Sequence, residues 1–261
     1  MRQYTRKIML KSGLVSISFR SHSVSEIASA AAAAGLKSVE WGSDVHLPSN
    51  DKEARERIIT LCQGLGIETP TYGSYFRLGA TPCEEFANML DTAEAIGARV
   101  VRVWGGTRYA TSEDEEWPML VSEARRISQM AKARGITVAL ECHRGTVTEH
   151  PDNALAFIRA VGSDSMRMYW QPNQYRSHSE NMESARMLAP YVDCIHVFNW
   201  SGSTKLPLGE AKDEWVDYLT AFKSEYEKRD IPALLEFMPD GKIATLAREA
   251  EALKDIISML R

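Results

Sequence analysis

Eight short apolar runs punctuate the chain: 14–19 (LVSISF), 38–42 (SVEWG), 67–72 (IETPTY), 99–104 (RVVRVW), 136–142 (ITVALEC), 166–171 (MRMYWQ), 194–200 (CIHVFNW) and 233–238 (ALLEFM). Each has the length of a strand, and most are bounded by glycine or proline. Between them the apolar positions recur with a helical period. Ser23-x-x-Glu26 reads as a capping box, and Gly35 closes that helix in the position that favours glycine. Asn50-x-x-Glu53 opens a second helix, and Thr81-Pro82-x-Glu84 a third, with proline at the first helical position. Further helices are predicted over 114–134, 152–161, 181–191, 213–229 and 243–261. Strand alternating with helix requires parallel pairing, because a parallel connection needs a crossover. The pattern therefore predicts an α/β fold, a (β/α)8 TIM barrel forming a single domain over 1–261. A doubly wound open sheet fits less well, since no glycine-rich phosphate turn follows the first run.

In such a barrel the chemistry sits at the C-terminal ends of the strands. All six histidines, His22, His46, His143, His150, His178 and His196, fall in or just after a predicted strand. Trp41, Trp104, Trp170 and Trp200 also fall at strand ends, and indoles with imidazoles would wall a pocket for a polar ligand with apolar faces, such as a sugar. Charged residues inside apolar strands are the sharper signal. Glu141 ends VALE, Glu236 sits in LLEF and His196 in CIHVF. A carboxylate there is costly unless it is paired or binds a metal. Alternation puts His143 on the side of Glu141 and turns Cys142 toward the helices.

Composition narrows the classes. A net charge of −4 lacks the basic excess of a nucleic-acid binder, and no apolar run approaches the ~20 residues of a membrane span. The basic start, Met1 to Lys7, lacks the apolar core of a signal peptide. Cys62, Cys83, Cys142 and Cys194 are scattered, which reads as reduced thiols in a cytoplasmic protein.

The segments VALECH (138–143), IHVFN (195–199), LLEF (234–237) and SVEW (38–41) resemble the xylose-isomerase-like barrels of sugar isomerases and epimerases. That family includes ketose 3-epimerases, hydroxypyruvate isomerase, inosose dehydratase and, more distantly, endonuclease IV. The resemblance implies a divalent metal ion (Mn, Zn, Mg or Co) held by Glu, Asp, His and Glu from strands five to eight. Glu141, His196 and Glu236 match three of those positions, and Gln171 stands where the family has aspartate. A glutamine still offers a neutral carbonyl oxygen, with one negative charge fewer.

The resemblance implies a metal-dependent isomerase or epimerase that abstracts a proton next to the carbonyl of a ketose or related polyol-derived compound. Glu141 and Glu236 would be its catalytic acid and base. Loss of a β-hydroxyl from the same intermediate would make it an inosose-type dehydratase. His143, Asn173, Gln174, Trp104 and Arg108 are the candidate substrate contacts, with Arg20, His22 and Glu40 behind them. Arg108 follows Gly105-Gly106-Thr107, a stretch able to approach a phosphate, but it also reads as a solvent-exposed loop arginine. The acidic run Glu113–Glu116 reads as the first turn of a helix. The expected partner is a small-molecule sugar, with no nucleic acid or membrane, and the assembly a homodimer or homotetramer. Two competing classes remain: a sugar-binding or regulatory barrel that has lost catalysis, suggested by Gln171, and a DNA-repair endonuclease, opposed by the acidic charge.

Overall fold

The computed structural model describes residues 9–260. The basic start, Met1 to Lys7, lies outside the described residues. Eight parallel strands close into a barrel: β1 (Leu10–Val15), β2 (Ser38–Gly42), β3 (Thr71–Arg77), β4 (Val100–Trp104), β5 (Thr137–Glu141), β6 (Met166–Trp170), β7 (Val192–Val197) and β10 (Ile231–Leu235). Neighbours pair in chain order, and β10 closes the ring on β1 through Leu10 to Leu14. A short antiparallel hairpin, β8 (Asn199–Ser201) and β9 (Thr204–Leu206), follows β7 at the C-terminal rim.

The outer layer consists of α1 (Val24–Ala33), α2 (Lys52–Leu65), α3 (Phe86–Ala95), α4 (Trp117–Lys132), α5 (Pro151–Val161), α6 (His178–Leu188), α7 (Lys212–Ala221), α8 (Lys223–Tyr226) and α9 (Leu246–Ser258). Ser23 and Glu26 form the expected capping box, and Gly35 takes a positive φ of 70° beyond α1. The second helix starts one residue later than the spacing predicts, because Asp51 accepts the Ala54 N–H at 2.9 Å. Pro82 leads into a 3-10 turn, and α3 begins only at Phe86. The acidic run precedes α4. Asp114 folds back on Thr111 and Glu116 pairs with Arg108. The helix expected over 213–229 breaks at Phe222 into α7 and α8. No helix among the described residues is long and apolar enough to cross a membrane.

Two strands are displaced from their apolar runs. The strand predicted over 14–19 ends at Val15, and Ser16–Phe19 form a 3-10 turn whose Ser16 hydroxyl accepts the Gly42 N–H. The polar Lys11 hides the start of β1, where it bridges Glu68 and Asp230 at the rim. The run 67–72 mostly forms the approach to β3. Ile67 donates to the Cys62 carbonyl to end α2, and the strand continues through Gly73 to Arg77. Gly73 leaves room for the buried acid, because a Cβ there would lie 2.7 Å from Glu40 Oε1 and force that carboxylate to shift.

Candidate metal centre and active site

Strand parity stacks side chains inside the barrel in layers. Val100, Ala139, Tyr169, Cys194 and Leu234 belong to one interior cluster, separate from the core between strands and helices. Two residues further along the same five strands stand Arg102, Glu141, Gln171, His196 and Glu236. Glu40 joins them from β2. The apolar floor thus carries a polar layer toward the C-terminal mouth, which is where a barrel of this kind works.

Glu141, His196 and Glu236 each offer a ligand atom, and these atoms lie within 4.8 Å of one another. Nδ1 of His196 is 3.4 Å from Glu236 Oε2 and 3.8 Å from Glu141 Oε1. Gln171 Oε1 lies 3.1 Å from the same nitrogen. The Gln171 amide has its orientation set on its other side, where Nε2 donates to the Cys142 carbonyl at 2.9 Å. Flipping it would set oxygen against oxygen, so its carbonyl faces the cluster. Two carboxylates, an imidazole and an amide carbonyl suit a divalent cation.

Charge supports the same fit. Glu40, Glu141 and Glu236 are all buried, and the buried cation beside them is Arg102. With a neutral imidazole this layer carries two uncompensated negative charges, a costly state in the interior that a divalent ion would neutralise. Arg102 Nη1 and Trp104 Nε1 both donate to Glu141 Oε2 at 2.5 Å. Arg102 Nε also lies 3.6 Å from Glu40 Oε1, and the Tyr169 hydroxyl donates to Glu40 Oε2. Burial alone would raise the Glu141 carboxyl, but Arg102, then His196, outweigh it and hold it at about 2. Burial opposes a charge on His196 as well, yet Glu236, Glu40 and Glu141 together raise its pKa. Glu236 has no lysine or arginine within 4 Å among the described residues, and its ionic neighbour is His196.

The other expected residues divide. Trp104 belongs to the site through Glu141, and its ring tilts against His143 at 5.5 Å. His143 Nδ1 meets the Arg144 carbonyl at 2.7 Å, which leaves Nε2 available to a ligand. Gln174 lines a cleft with Trp200 between the loops after β6 and β7. Asn173 borders that cleft too, but its side-chain oxygen accepts the Tyr175 N–H at 3.0 Å and serves the turn.

Arg108 is not brought to the cluster. Its side chain is 59% exposed and pairs with Glu116 at 3.1 Å, because the acidic run lies alongside it. Glu40 is fully buried within the polar layer, 3.9 Å from His196 Nε2. Arg20 pairs with Asp44 and Tyr75, and His22 faces Glu26. Trp41 and Trp170 leave the pocket because parity turns them outward. Trp170 packs on Trp215, Tyr218 and Phe222 in the helix layer. Arg102 and Tyr169 are the members that pattern reading missed. An arginine between valines in β4 is as anomalous as Glu141 in β5, and it was the available signal. A cavity of about 860 Å³ lies at the opposite end of the barrel among Lys11, Pro70, Thr137 and Pro232 and holds none of these residues.

The family model of the xylose isomerase-like TIM barrel matches residues 28–223. The chain belongs to that family. The resemblance seen in 38–41, 138–143 and 195–199 falls within that match and is borne out, and 234–237 lies beyond it. Inosose dehydratase of Erwinia tasmaniensis is 22% identical over 238 residues, covering 86% of this chain and 78% of its own. The probable 3-DHS dehydratase AsbF of Bacillus anthracis superposes with a TM-score of 0.77 at 18% identity, over 94% of this chain and 98% of that one. An L-ribulose 3-epimerase gives 0.73 at 15% identity, over 97% and 96%. The relatives named are enzymes, and this xylose isomerase-like barrel is read with them as an enzyme.

Proposed function

We propose that this chain is a divalent-metal-dependent dehydratase acting on a polyhydroxylated, sugar-derived carbonyl compound. The observation that carries this reading is the inequality of the two carboxylates. Glu141 Oε2 is occupied by Arg102 and Trp104, whereas no cation of the described residues pairs with Glu236 apart from His196. Epimerisation needs a proton-transfer group on each face of the reacting carbon. Elimination needs one base and one proton donor for the leaving hydroxyl.

Glu141, His196, Glu236 and the Gln171 carbonyl would hold the ion. When bound, it would supply Lewis acidity that draws electron density from the substrate carbonyl and acidifies the adjacent C–H. Glu236 takes that proton, and the C–H electron pair forms the new double bond. His143, on the Trp104 side and in its imidazolium form, gives its Nε2 proton to the β-hydroxyl as the C–O bond breaks and water leaves, Nδ1–H staying on the Arg144 carbonyl. Trp104 and Arg102 keep Glu141 an anion throughout. The reading agrees with the names of the inosose dehydratase and 3-DHS dehydratase relatives.

An isomerase or epimerase is the second reading, favoured by Glu141 Oε1. That oxygen is 3.8 Å from His196 Nδ1 and is the atom that would have to move the second proton. The test is to incubate metal-loaded protein with inosose, 3-DHS and a panel of ketoses, following water loss by the ultraviolet absorbance of the conjugated product. Metal-dependent dehydration supports the proposal. Interconversion of ketoses without water loss would replace it with the epimerase reading, and metal binding without turnover would favour the binding barrel.

A further inference from the structure

We propose that Glu40 is a positioning residue that holds His196 in its metal-ligating tautomer. This rests on the metal-dependent reading above. The imidazole of His196 is fully buried and its two nitrogens face different neighbours. Nδ1 points at Gln171, Glu236 and Glu141. Nε2 makes no hydrogen bond, and neither does Glu40 Oε1, which lies 3.9 Å away. Two buried polar atoms that face one another without a partner are costly until a proton on one of them joins them.

The chemistry of ligation says when they meet. A nitrogen that binds a metal must give up its proton, so Nδ1 ligation leaves the ring's remaining proton on Nε2. Glu40 Oε1 is the ionic acceptor that faces this nitrogen among the described residues. Its carboxylate is already aimed, because Tyr169 holds Oε2 and Arg102 Nε stands 3.6 Å from Oε1. Gly73 keeps the space open, since a Cβ there would lie 2.7 Å from Oε1. A small closure of the ring onto Glu40 would fix its orientation and raise the basicity of Nδ1, the role outer carboxylates play for ligating histidines.

The experiment is calorimetric titration of Zn²⁺ into metal-free parent, Glu40→Gln and Glu40→Met, with thermal midpoints of the metal-free proteins. It is joined by ¹⁵N–¹H spectra of the histidine rings in the Zn²⁺-loaded parent. Both variants should bind Zn²⁺ more weakly, by about 10–100-fold for the fuller loss in Glu40→Met. In the loaded parent, His196 should carry a slowly exchanging proton on Nε2 and none on Nδ1. A merely structural role would lower the metal-free midpoint while leaving Zn²⁺ affinity at the parent value, and that result overturns the proposal. So does a loaded parent whose His196 Nε2 is unprotonated, a reading that stands even where Glu40→Met does not fold. A parent that takes up no Zn²⁺ overturns the metal reading and this proposal with it, whereas tight uptake with unaffected variants overturns this proposal alone.

Discussion

The β4–β5 wall of the site and its β7–β10 wall present the same kind of acid and treat it differently. On the first, Glu141 is clasped by a buried guanidinium and an indole N–H. On the second, Glu236 follows Leu235 into the site with His196 as its ionic neighbour. Both glutamates stand two residues above the same apolar floor, so strand geometry alone does not separate them. What separates them is what β4 places alongside. Arg102 and Trp104 point inward with the same parity and converge on one oxygen of Glu141, which makes it a fixed anion suited to holding a cation. Glu236 has no such clasp among the described residues, which is why the proposed function gives it the proton transfer.

Removing the clasp should produce the largest loss of stability. Arg102→Met leaves Glu40 and Glu141 buried without their cation, a change expected to destabilise the protein by about 3–5 kcal/mol. Urea denaturation of the metal-free protein measures it, and a loss below about 1 kcal/mol would mean that the clasp carries little. Trp104→Phe keeps an aromatic ring beside Tyr75 and Arg77 but deletes the N–H on Glu141 Oε2. A hydrogen bond to a charged group is worth about 1.5–3 kcal/mol, so this variant should fall between Arg102→Met and the parent.

The same clasp should also appear as a pH slope. The Glu141 carboxyl sits at about 2 in the folded protein against an ordinary value of 4.5, burial being outweighed by Arg102. The unfolded chain therefore takes up this proton first as the medium is acidified. The stabilisation is fully present above about pH 4.5 and is lost as pH falls toward 2. Urea midpoints of the metal-free protein should fall across this window, and in Glu141→Gln they should fall less steeply by up to one proton. Parallel slopes would contradict the clasp.

Much of this was legible in the residues, for reasons that also explain the misses. A charge inside an apolar strand has few solutions, so Glu141, His196 and Glu236 stood out before any geometry was known. Gln171 needed the family pattern, because a glutamine at a strand end is unremarkable on its own. Arg102 carries the same signal as Glu141, a charge inside an apolar strand, but its guanidinium ligates no metal and so is not picked out by a ligand pattern. Parity would have removed Trp170 from the pocket, since Tyr169 and Gln171 take the inward positions on either side. Arg108 is the solvent-exposed loop arginine that the sequence also allowed, and its pairing with Glu116 keeps it from the cluster. The start of β1 and the far end of β3 are hidden where Lys11 and Gly73 interrupt the apolar pattern for ion pairing and for room.

The division of labour between the two glutamates is tested most directly by turnover of Glu236→Gln and Glu141→Gln at saturating metal, with bound metal measured in each. The account predicts that Glu236→Gln loses at least ~10²-fold in kcat with metal still bound, the scale of a lost general base. It predicts that Glu141→Gln is impaired chiefly in metal affinity and recovers most of its kcat once the metal site is filled. Equal losses of kcat in both metal-filled variants would contradict it and make the two carboxylates partners in proton transfer.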